Sequence, residues 1–233
     1  MIRIITVFWL RAIKKFKYIL RFPSYMLESY IKNQVSVWLN KNDLVLDGSL
    51  VKNMDRVFTS VRDIPFQVFL RKHDYKNNIL QTISNNYGSC SGKHFLLGNI
   101  LDQAGVPVKY MLYPFLWKDV KADYPKAIKD LAQNLPVSHH LALKTKFEDR
   151  ELFLDVTWDL PLEAGGFSVN KLVGSIIENK CAVTPLDEIV CDSAFEWINQ
   201  VGLRRKESDK RLEFYLEFNG WLSFVREHYK HNF

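Results

Sequence analysis

The chain has 233 residues, 47% of them hydrophobic and 25% charged, with 10 Gly, 8 Pro and 3 Cys, which excludes a disordered, collagenous or disulfide-scaffold protein and allows a core of useful size. Its formal charge of +6 is local: Arg3, Arg11, Lys14, Lys15, Lys17 and Arg21 lie in an acid-free stretch, and from Pro23 onward basic and acidic residues balance at 26 each. No nucleic-acid partner is expected, since that inference needs basic charge spread over a binding face or joined to a reading motif.

At the N-terminus, the apolar stretch Ile4 to Leu10 is seven residues long and is followed by Arg11 and Lys14. That is too short to span a membrane and lacks the small-residue cleavage site of a signal peptide. Ile5, Trp9, Ile13, Phe16 and Leu20 recur at helical spacing, so residues 1 to 22 predict a basic amphipathic helix. Packing on its own domain is the favoured role; weak docking on an anionic membrane surface or a partner is the other.

A second helix is predicted over Tyr25 to Leu39. Leu44 to Leu46 and Leu50-Val51 then read as a small hairpin around Asp47-Gly48. After the apolar run Ile64 to Leu70 comes a helix over Asn78 to Ser84. A turn-rich segment from Asn85 to Gly92 then feeds a helix with a broad apolar surface that ends at Gly105, which puts Cys90 at or near a helix N-terminus. Val108 to Leu112 reads as a strand, 121 to 134 as a helix or irregular excursion, and Val137 to Phe147 with Glu151 to Trp158 as a hairpin. Two helices, Ser193 to Val201 and Asp209 to His228, close the pattern. With no repeat or clear linker, residues 1–233 read as one domain: a helical extension (1–61), a core (62–159) and a C-terminal helical region (160–233).

The cysteines are Cys90, Cys181 and Cys191. An odd, sparse count gives no disulfide framework, and reduced thiols of a cytoplasmic protein are the simplest account. No Cys pair has zinc-site spacing and no calcium-loop pattern occurs, so neither metal nor cofactor is expected.

Cysteine catalysis is the chemistry this order of residues suits. A thiol at a helix N-terminus feels partial positive charge that favours the thiolate. A histidine can ionise it and later protonate the leaving group, and an acid can hold the histidine's tautomer. His140 lies on the first hairpin strand and Asp155 on the second, 15 positions later, where antiparallel pairing can bring them together.

The stretch Gly88 to Met111 followed by Ser138 to Asp159 resembles the transglutaminase-like superfamily, through Gly88 and Cys90, Gly105-Val106-Pro107, His140, and Asp155 with Thr157 and Trp158. Asp63-Ile64-Pro65-Phe66 is similar to that family's lead-in strand. The resemblance covers about residues 62 to 159. It implies a papain-like α+β fold, with a buried helix bearing the Cys packed on an antiparallel sheet bearing the His and Asp. It also implies a catalytic triad of Cys90, His140 and Asp155 and acyl transfer or hydrolysis through a thioester on a protein or peptide amide. The chain departs from the family at Gly92, His94 and Ala142, positions that shape the acyl channel.

His139 is an alternative base, because neighbouring strand residues point to opposite faces; the family spacing to the acid favours His140. His94 is a third candidate, read instead as a polar residue near the helix start. Cys181 and Cys191 are read as structural, for want of a matched base and acid. A non-catalytic interaction module on the same fold, docking through residues 1 to 22, is the competing function.

Overall fold

In a computed structural model, the described residues are 24–44, 50–69, 74–147, 150–171, 179–204 and 210–230. The expected basic helix over residues 1 to 22 and the Asp47-Gly48 turn lie outside them.

Helix α1 (Ser24–Lys41) buries Ile31, Val35, Trp38 and Leu39, and α2 (Leu50–Arg62) buries Met54, Val57, Phe58 and Val61, the spacing of one helical face. Leu50-Val51 therefore opens a helix and is not the hairpin strand expected of it: the 3.6-residue period running on to Val61 outweighs the local turn signal. Helix α3 (Tyr75–Asn85) is capped by Asp74, whose carboxylate accepts from the Asn77 N–H at 2.9 Å, and it ends at Asn86 in the left-handed conformation.

Helix α4 (Cys90–Gln103) is the central element. Every residue from Ser91 to Leu101 is buried, as expected of a helix enclosed on all sides. The helix is followed by strand β1 (Val108–Phe115), a 3-10 turn (Trp117–Asp119), a short helix α5 (Lys126–Ala132) and strands β2 (Ser138–Phe147) and β3 (Arg150–Leu154). A 3-10 helix (Leu160–Gly165), strand β4 (Ile189–Cys191) and helices α6 (Ala194–Arg204) and α7 (Lys210–Lys230) complete the described chain.

The sheet is antiparallel in the order β3-β2-β1-β4, so the architecture is α+β. Both faces are covered. Leu112, Leu141, Leu143 and Leu154 join a core with α1, α2, α4 and α6, whereas Met111, Tyr113, Phe115 and Ala142 join one with Phe214, Phe218 and Leu222 of α7. The alternation of strand side chains produces this division. Asp63 to Phe66 is no strand of this sheet: it makes only an isolated parallel bridge, Phe66 to Gly88. No described helix is long and apolar enough to cross a membrane.

Candidate active site

Cys90 occupies the first position of α4. Ser89 before it caps the helix, its Oγ accepting from the Gly92 N–H at 3.2 Å. The approach is fixed by backbone bonds: the Gly88 N–H donates to Pro65 O, and the Gln67 N–H donates to Gly88 O, both at 3.0 Å. Thr82 packs so closely that a Cβ at position 92 would stand 2.5 Å from its Oγ1. Glycine at position 92 therefore has a local steric cause.

His140 sits on β2 opposite Tyr113. The β2–β3 register ends with Leu154 facing Leu143; one step further would set Asp155 opposite Ala142, one diagonal from His140. His140 Nε2 and Asp155 Oδ2 are 2.8 Å apart. The same Oδ2 accepts from the Ala182 N–H at 2.7 Å, while Oδ1 accepts from the N–H of Thr157 at 3.1 Å and from its hydroxyl at 2.6 Å. With Nε2 committed to the carboxylate, Nδ1 is the ring nitrogen left to serve a thiol.

Cys90, His139 and His140 line one cleft, together with aromatic side chains that include Phe66, Tyr87, Phe115 and Trp158. Asn85 and Tyr87 line it too. Burial alone would pull His140 down, but the charge and hydrogen bond of Asp155, helped by the thiols of Cys181 and Cys90, hold it well above its ordinary value. Burial likewise pushes Asp155 up, and His140, with a smaller contribution from His94, more than reverses this and keeps the carboxyl well below its usual range. Both directions favour the imidazolium–carboxylate form of this pair, the form that would favour a neighbouring thiolate.

One residue differs from expectation. Cys181 does have a base and an acid near it: its Sγ, a His140 ring nitrogen and an Asp155 oxygen lie within 4.8 Å of one another. The loop that brings Ala182 onto Asp155 carries Cys181 with it, a placement no local pattern announces. These three groups have the donor chemistry of a zinc set, yet the His140 and Asp155 atoms are bound to each other and to Ala182. Unlike Cys90, Cys181 is not among the cleft-lining residues.

His94 lies near the helix start, as expected, and is fully buried. Its Nε2 accepts from the Val156 N–H at 3.0 Å, so its proton must be on Nδ1, which donates to Cys90 O at 2.7 Å. Burial, its strongest influence, lowers its pKa. A neutral ring with both nitrogens occupied cannot serve as the base; it clamps the start of α4 to the strand end that carries the acid.

Sequence reasoning missed Lys93 and Arg211. Lys93 is fully buried and its Nζ donates to Arg62 O at 2.6 Å and Thr157 O at 2.8 Å. Its signal was a lysine inside an otherwise enclosed helix. Arg211, at the start of α7, lines the cleft and carried no signal in its local sequence.

Compared with known proteins, the chain matches no family model and no curated sequence.

Proposed function

We propose that the protein is a cysteine enzyme of transglutaminase-like type on a papain-like fold, forming or hydrolysing amide bonds through a thioester. The observation that carries this reading is the buried His140–Asp155 pair at 2.8 Å, opening on a cleft that also holds the helix-opening thiol of Cys90. Bond polarity, charge and residue order agree.

In the reaction, the Cys90 thiolate attacks the amide carbonyl carbon and forms a C–S bond. The Cys90 N–H, at the first helical position, has no intrahelical acceptor and receives the oxyanion. His140 gives its proton to the departing nitrogen as the C–N bond breaks, leaving a thioester and a neutral imidazole. The imidazole then takes a proton from water or an incoming amine, which attacks the thioester and returns the thiolate. Asp155 holds the ring and balances its charge throughout.

The test is the rate of alkylation of each cysteine by iodoacetamide against pH, resolved by peptide mapping. Cys90 should react faster than Cys181 and Cys191 at neutral pH, lose that excess in His140→Ala, and keep it in Cys181→Ser. A Cys90 that reacts no faster than Cys191, or a fast reaction located on Cys181, would overturn the assignment.

A further inference from the structure

We infer that the substrate carries a carboxylate and that Arg211 receives it, a reading that rests on the cysteine chemistry proposed above and names its substrate class. Arg211 is only 3% exposed. Its Nη1 donates to Ser138 Oγ at 2.9 Å and Tyr215 Oη at 3.4 Å, and its Nη2 to Val137 O at 2.9 Å and Pro136 O at 3.4 Å. All four acceptors are neutral, and its buried Nε has no partner. A buried guanidinium is ordinarily matched by an anion, because an uncompensated charge in a poorly hydrated place is costly.

The cleft itself supplies no such anion. Among its described lining residues there is neither aspartate nor glutamate, and Arg211 is the sole lysine or arginine. Another lining residue carries a second unpartnered donor, the buried Nε1 of Trp117. The Trp117 ring packs 5.0 Å from Phe214 and 6.4 Å from Tyr215, and Tyr215 is the residue whose hydroxyl meets Arg211. One positive charge and two unused N–H groups suit the two oxygens of a carboxylate. A phosphate dianion would leave charge unbalanced. Anchoring a carboxylate here, in the cleft that contains the thiol, would hold the amide in register for attack.

The test uses the intact protein and amides of dicarboxylic acids. Succinamate, glutaramate and adipamate each carry one amide and one carboxylate over increasing length; the corresponding diamides are neutral controls. At matched ionic strength, at least one acid-amide should raise Tm while its diamide does not. Arg211→Gln should abolish the shift, corresponding to a loss of affinity of about tenfold or more. Equal effects of acid-amide and diamide, or no effect at any length, overturn the proposal, as does a folded Arg211→Gln that keeps the shift. Should that variant fail to fold, the Arg211 Nε–H resonance of the wild type decides: it must move with the acid-amide and stay with the diamide. Ammonia release, read separately, distinguishes failure of the enzyme reading from failure of this one, since Tm and the resonance report binding alone.

Discussion

Replacing Asp155 by Asn would remove the charge that opposes burial at His140, so the ring should lose its proton at lower pH than in the wild type. A pH titration of the ring resonances measures this, and an unmoved His140 would detach Asp155 from the proposed role. His94 should behave in the opposite way: with Nε2 accepting from Val156 and Nδ1 donating to Cys90 O, it should remain the Nδ1–H tautomer, protonating below the usual histidine value of about 6.5 because it is buried. His94→Phe leaves the Val156 N–H buried without an acceptor and should cost about 1–3 kcal/mol in denaturant unfolding. Lys93 has a different signature. Burial holds its amine down to about 7, whereas the unfolded chain keeps that proton to about 10.4. Between those values unfolding takes up a proton, so rising pH favours the fold. Urea midpoints should show that slope, and Lys93→Met should flatten it.

At the scale of elements, α3 and α4 meet through a residue pair that should be coupled. Gly92→Ala would drive its Cβ against Thr82 Oγ1 and should destabilise by about 1–3 kcal/mol; Thr82→Ala removes the obstructing oxygen and should restore part of it. A double-mutant cycle with no interaction energy would contradict the geometry. Such contacts also explain what could be read from the chain. The cysteine helix, β1, β2 and β3 were legible because their signals are local: turn formers before Cys90, apolar periodicity after it, and alternating runs around one turn. The His140–Asp155 spacing was legible for the same reason, although β3 ends at Leu154 and Asp155 follows the strand instead of lying on it. Helix α2 was misread at Leu50 because an Asp-Gly turn outweighed a face whose partner, α4, lies far along the chain. Strand β4 is three residues long and exists by pairing with β1. Cys181 and Arg211 reach the cluster through tertiary packing alone, which no window of sequence contains.

Across the whole molecule, one ion pair joins the end of the chemistry-bearing hairpin to the last described helix. Asp159 is 1% exposed and receives Arg226 Nε at 2.7 Å and Nη2 at 2.8 Å, while its Oδ1 also accepts from the Phe66 N–H at 2.9 Å. Arg226 Nη2 further donates to Phe66 O at 2.8 Å. Removing one partner of such a pair strands the other, so Arg226→Met should cost about 3 kcal/mol and should lower the unfolding midpoint without changing which cysteine reacts. A variant of wild-type stability would show the pair to be incidental.

That fastening also imposes a schedule. Arg226 bonds to a residue 160 positions earlier and to a carboxylate 67 positions earlier, and Arg211 stands on the same helix. During synthesis, Cys90, His140 and Asp155 all leave the ribosome before either arginine. A nascent chain thus carries Cys90, His140 and Asp155 for a time without the helix that covers one face of the sheet and pins Asp159. The proposed chemistry should begin only once α7 has emerged and docked.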